Sequence, residues 1–238
     1  MHRGNAIAEI EECPLSRRAW ALQERLLSPH IVHFGRNQLF WECNELRAGE
    51  TFPQGLDTWL KMKPSVACDL IKMKQLPSSI KGSTLIWERR IIYLDWEVVV
   101  RNHTAADLTH RTDRLLALSA IAKWYAVWIG DEFVAGLWQN DLLRQLCWFR
   151  KGPKLAQPLL TNDNVPYRAP SWSGAALNSQ EFNSVSSYSS TNEDVKSGTR
   201  DGRTELLDVC VTPVGEDITG QVSNGVITIR GPLVCECN

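Results

Sequence analysis

Residues Pro14 to Cys43, PLSRRAWALQERLLSPHIVHFGRNQLFWEC, change from a helical hydrophobic period to a strand period across a single proline. That switch constrains the fold more than anything else in the chain. Leu15, Ala19, Leu22 and Leu26 form one apolar stripe and Trp20, Gln23 and Leu27 its neighbour, as an amphipathic helix requires. Ser16 is its candidate N-cap, and Pro29 ends it because proline cannot continue the hydrogen-bond ladder. His30 to Phe34 and Gln38 to Cys43 then read as two β-rich runs around Gly35-Arg36-Asn37, a turn with hairpin residues. A helix leading directly into a hairpin places the chain in the α+β class.

Further along, Arg47 to Ser83 is interrupted by Pro53, Gly55, Pro64, Pro77 and Gly82 and reads as loops around a short helix near Val66 to Met73. Leu85 to Arg101 reads as a helix, with Ile86, Arg89, Tyr93, Trp96 and Val100 at helical spacings, although its β-branched residues leave a strand open. Asp107 to Trp128 is predicted helical, with an apolar face of Leu115, Leu118, Ile121, Ala122 and Tyr125 and a cap at Thr112. Leu137 to Phe149 gives a third central helix, with Leu142, Leu143, Leu146 and Phe149 on one side, stopped by Gly152-Pro153. From Asn178 to Thr204 polar residues dominate, too few apolar groups to offset the entropy of ordering, so a flexible loop is expected. Alternation returns at Glu205, with turn signals at Pro213 to Asp217 and at Asn224-Gly225, and predicts a small C-terminal antiparallel sheet.

A formal net charge of −1 from 26 basic and 27 acidic residues gives no long-range attraction to nucleic acid or to an anionic membrane. No apolar run approaches the ~20 residues that span a bilayer, and the charged N-terminal stretch lacks a signal peptide's apolar core. An intracellular, cytoplasmic location is expected. The seven cysteines have no scaffold spacing and read as thiols; Cys235 and Cys237 lack the two further ligands a structural zinc site needs, so no metal and no cofactor is expected. Ten tryptophans imply extensive packing between elements.

Glu24 is the first carboxylate to consider for chemistry. It lies one turn beyond Trp20, where an aromatic face could raise its pKa for acid–base work or for a ribose hydroxyl; pairing with Arg17, Arg18 or a basic loop residue is the simpler role. Arg18 could clamp an anion or brace neighbouring carbonyls. His33 and Glu42, on the two strands of the hairpin, could meet as a proton shuttle or as a structural pair. His30, His103 and His110 have no metal-ligand spacing, and Asp113 with Arg114 opens a helix where a carboxylate suits the dipole. Arg168, Ser171, Trp172 and Ser173 form a polar-aromatic motif suited to lining a pocket or, more simply, to locking a loop over the core. No phosphate loop, dinucleotide fingerprint, nucleophile elbow or zincin helix occurs.

Taken together, these blocks resemble the fungal heterokaryon incompatibility (HET) domain. Its signature is matched by Leu15, Arg18, Ala19, Trp20, Gln23, Glu24, His33, Phe34, Phe40, Trp41, Glu42 and Cys43. The family's C-terminal extension is matched by Leu108-Thr109, by Asp113, Arg114 and on to Ala122, by Asp131 to Leu142 with Trp138, and by Tyr167 to Ser173 with Arg168, Pro170 and Trp172. Gly220 to Gly225 and Arg230 to Leu233 match its closing segment, while Gly174 and Ala175 stand where the family continues Trp-Ala. The resemblance divides the chain into a C-terminal remnant of the HET domain (1–46), a mainly helical extension (47–177), a Ser/Asn-rich loop (178–204) and a β segment (205–238). It implies a role in non-self recognition and programmed cell death.

The family's front half carries a Ser-Tyr-x-Trp-Gly strand and an Asp-x-x-Cys-Ile-x-Gln segment, in a core similar to TIR-like domains; neither motif occurs here. Three readings follow. The chain is a truncated, non-catalytic module that binds a protein partner or a full-length homologue; or an NAD-hydrolysing fragment using Glu24; or an inactive gene fragment. Loss of the front core predicts exposed apolar surface at Leu22, Leu26, Phe34 and Phe40, and with it self-association.

Overall fold

The helix-to-hairpin switch is present in the computed structural model, which describes residues 9–10, 13–43, 46–55, 86–148, 167–176 and 204–232. The expectations for a helix near 66–73, for the loop at 178–203 and for Cys235 and Cys237 lie outside these residues.

Helix α1 spans Ala19–Leu27 and follows a short turn at Pro14–Arg17. Ser16 is not its cap. The Ser16 hydroxyl donates to the Ile10 carbonyl at 2.7 Å, and Arg18 occupies the cap position without a side-chain bond. The orphan N–H of Ala19 is satisfied from a distance instead, by the Asp107 carbonyl at 3.0 Å, while Asp107 N–H donates back to Arg17. Strands β1 (His30–Phe34) and β2 (Leu39–Cys43) form the antiparallel hairpin that the turn residues predict, in a register that sets Val32 opposite Trp41. A third strand, β3 (Arg47–Gly49), extends this sheet; a three-residue strand ending in glycine is too short to signal itself by alternation.

Helix α2 runs from Ile86–Ala105 and settles the ambiguity of its valines in favour of helix. Trp96, Val99 and Val100 are buried against α3, and such packing overrides the modest helix penalty of β-branched residues. Helix α3 covers Leu116–Ile129, shorter at its start than predicted, because Asp107 is committed to the bridge with α1 and Arg111–Asp113 forms a separate turn. Thr112 does not cap it; its hydroxyl bonds Asp113. Gly130, with a φ of 63°, closes α3 in the left-handed conformation that favours glycine.

The predicted helix from Leu137 is a correction. Phe133–Val134 (β4) and Leu137–Trp138 (β5) form a tight hairpin through Ala135 and Gly136, whose φ values of 49° and 102° make a turn with the twist hairpins favour. Only Leu142–Gln145 (α4) is α-helical there, held by Gln145, whose side-chain oxygen accepts from the Trp138 backbone at 3.1 Å. The last two strands, β6 (Glu205–Pro213) and β7 (Val222–Arg230), form a separate antiparallel ribbon. Asn224-Gly225 is not a turn but a stretch of β7 facing Thr212 and Val211. Glycine is needed at 225 for close approach, since a Cβ there would sit 2.3 Å from Pro170 Cγ.

Trp96 sits at the centre of the core. Tyr125, Phe133 and Trp138 surround it edge-on at centroid distances of 5.2, 5.7 and 5.3 Å, and its N–H donates to the Gly136 carbonyl at 3.0 Å. Leu26 of α1, Ile92 and Val99 of α2 and Ile121 of α3 complete this cluster. A smaller cluster joins Val134, Leu137 and Leu142 to the ribbon through Val209, Val211 and Ile227. The chain is α+β, with an N-terminal helix and hairpin, central helices and a C-terminal two-stranded sheet.

Surface exposure also departs from expectation. Leu26 is buried, at 5% exposure, and Leu22 packs on the central cluster, because α1 covers α2 and α3, while Phe40, at 1%, is buried against Ile10. Phe34 alone of the four stands out, 86% exposed.

Candidate functional site

Two polar centres lie inside this framework. The first is built on Glu42. Alternation along β2 turns Phe40 and Glu42 inward, and the sheet register brings Arg47 of β3 directly opposite Glu42 and His33 of β1 diagonally beside it. Arg25 arrives from α1. Glu42, 5% exposed, accepts from Arg25 Nε at 2.9 Å, pairs with Arg47 at 2.6 Å and meets His33 Nε2 at 2.8 Å. Burial by itself would raise the Glu42 pKa; the His33 hydrogen bond and the Arg25 and Arg47 charges reverse this and hold the carboxyl well below its usual range. A carboxylate so strongly held ionised is a poor proton acceptor. It ties α1 to all three strands of the sheet, which is the structural role for the His33–Glu42 pair.

Around this centre the other signature residues scatter. Glu24 is exposed, on the outer side of α1, and among the described residues neither Arg17 nor Arg18 pairs with it. Arg18 is exposed at the helix start, and Trp20 and Gln23 are half-buried, the Gln23 side-chain oxygen lying buried without a partner. On the opposite sheet face Trp41 stacks on His30, with ring centroids 5.4 Å apart, beside Val32, Phe34 and Leu39. Cys43 Sγ accepts from the Leu46 backbone at 3.3 Å.

The second centre forms where α2, the start of α3, the Gly136 turn and the Ser173–Ala175 segment meet. His103 of α2 is 0% exposed with neither ring nitrogen hydrogen-bonded. Burial, then the nearby Arg114 charge, pushes its pKa down to about 3, so the ring is neutral. Arg114, matched to the signature, is 3% exposed and its Nε has no partner. Its own pKa is lowered to about 10 by burial first and then by the positive charges of Arg168 and Arg111. A cavity of about 20 Å³ opens beside it, lined also by Val100, Thr104, Leu118 and Ser173.

The Tyr167–Ser173 motif is anchored over this region. Ser173 is fully buried, its hydroxyl donating to the Ala135 carbonyl and accepting from Ala175 N–H at 3.1 Å. Trp172 N–H reaches the Gly225 carbonyl at 3.3 Å, its carbonyl accepts from Trp148 Nε1 at 2.9 Å, and Pro170 packs on Gly225. Trp138 is fully buried in the core and Asp113 is half-buried beside Thr112. Sequence reasoning missed Arg25 and Arg47 as partners of Glu42 and missed the His103–Arg114 pair. Arg114 offered one signal, an arginine followed at once by the apolar face of α3.

Among the described residues no group of three or more His, Cys, Asp or Glu side chains is placed to hold a metal, and no helix is long and apolar enough to cross a membrane. The chain matches no protein-family model, no curated protein and no solved structure.

Proposed function

We propose that this chain is a non-catalytic interaction module of the heterokaryon-incompatibility type, serving non-self recognition and cell-death signalling by docking on a protein partner or on a complete homologue. One observation carries the reading: the outer face of the β1–β2 hairpin is apolar and open. Val32, Phe34, Leu39 and Trp41 are 46%, 86%, 39% and 40% exposed, and the register places Val32 against Trp41 and Phe34 against Leu39, so the four form one contiguous patch. Contiguous apolar surface of this kind marks a contact site more often than isolated exposed residues do, and a tryptophan at its centre suits an interface. The polar side of the same sheet supports the non-catalytic part, because the Glu42 carboxylate is committed to Arg25, Arg47 and His33.

The test is co-elution of the purified chain with a full-length homologue at micromolar concentration. Binding by the unmodified chain and its loss in Phe34→Asp, which leaves the buried face untouched, is the expected result. Separate elution of the unmodified chain, or equal binding by Phe34→Asp, would overturn the reading.

A further inference from the structure

Arg114 is the most deeply buried arginine among the described residues, and its surroundings differ from those of Arg25, Arg47 and Arg144. Arg25 and Arg47 close on Glu42, and Arg144 is held by Asp141 and Glu97. Arg114 makes no ion pair among the described residues, its Nε has no hydrogen-bond partner, and the charges that act on it, from Arg168 and Arg111, are both positive. The buried titratable group beside it, His103, is neutral and contributes no negative charge.

Removing an isolated guanidinium from water is unfavourable, and arginine does not escape that cost by losing its proton near neutral pH. A negative charge close by would offset that cost. The cavity that Arg114 lines has about 20 Å³ of free space, room for a single body of roughly the size of a water molecule. A water would fill it without neutralising it.

We infer that this cavity is a binding site for one small monovalent anion of the size of chloride, with Arg114 as its charge partner. The lining favours a monatomic ion over a tetrahedral oxyanion. Phosphate and sulfate need several directed donors and more room. Here the Thr104 hydroxyl already donates to the carbonyls of Val100 and Arg101, and the Ser173 hydroxyl to that of Ala135. Arg114 is left as the donor, and a halide accepts from any direction. The bound ion would neutralise the junction of α2, α3, the Gly136 turn and the Ser173–Ala175 segment.

Thermal melting at fixed ionic strength tests this, with chloride replacing gluconate, an anion too large for the cavity. For a site half-filled at or below about 1 mM, raising chloride from about 1 mM to about 100 mM is expected to raise the midpoint by roughly 5 °C, growing with the logarithm of concentration, with bromide able to substitute. The rise should vanish in Arg114→Met. No rise in the unmodified chain, or the same rise in Arg114→Met, overturns the site. Should Arg114→Met not fold, crystals of the unmodified chain soaked in bromide decide the question: an anomalous peak against Arg114 supports it, and an empty cavity in excess bromide overturns it.

Discussion

Acidification to pH 5 should weaken this fold mainly through His103. The ring is 0% exposed without a hydrogen bond, and burial together with the Arg114 charge lowers its pKa from 6.5 to about 3. Between those values the unfolded chain binds a proton that the folded chain refuses, so stability rises with pH in that window. The contribution is fully present above about pH 6.5 and is lost as pH falls toward about 3. Each pH unit in the window corresponds to about 1.4 kcal/mol, so moving from pH 7 to pH 5 removes about 2 kcal/mol. Urea unfolding followed by tryptophan fluorescence at both pH values measures this. His103→Leu, similar in volume and unable to titrate, should lose about 2 kcal/mol less over the same interval. Glu42 and Asp217, whose pKa values are lowered from 4.5 and 3.8, contribute chiefly below pH 5 and cancel in the comparison. Equal pH dependence in His103→Leu and the unmodified chain would refute the account.

Glu42→Gln removes the shared partner of Arg25, Arg47 and His33; breaking a buried ion pair costs roughly 3 kcal/mol, readable as a lower urea midpoint, and an unchanged midpoint would deny Glu42 its tying role. Gly225→Ala forces a methyl to within 2.3 Å of Pro170 Cγ and is expected to cost about 1–3 kcal/mol, with faster proteolysis of β6 and β7 than of α2 and α3. Glu24→Ala, on an exposed position, should leave the unfolding free energy within about 0.5 kcal/mol and NAD consumption at the same background; a drop in NAD turnover would restore the enzymatic reading.

Local signals in the sequence carried the helix at α1, the presence of the hairpin and the helical character of α2, because each rests on periodicity or turn chemistry within a few residues. The failures share a different cause. Ser16 and Thr112 look like caps, yet the first N–H of α1 is satisfied by Asp107, a residue far along the chain. Leu137 to Phe149 has helical spacing, but two successive positive φ values at Ala135 and Gly136 commit its first residues to a strand. The same division applies to the polar centres. His33 and Glu42 were findable from hairpin register, whereas Arg25, Arg47, His103 and Arg114 converge only through tertiary packing, which no spacing rule encodes.

The ribbon of β6 and β7 has a consequence for how the molecule assembles. Its ties to the body join partners very distant in the chain: Lys123 to Asp217, Thr219 to the Ser119 carbonyl and Gln221 to the Thr112 carbonyl, at separations of 94, 100 and 109 residues. The β4–β5 hairpin and the α2–α3 aromatic cluster close far shorter loops. Loop-closure entropy therefore favours the contacts of α2 with α3 and of β4 with β5 over the docking of the ribbon. Until the ribbon docks, Gly225 has not met Pro170 and Trp172, and Val134, Leu137 and Leu142 lack their cover. Docking of the ribbon is thus also the step that seals the molecule's second core.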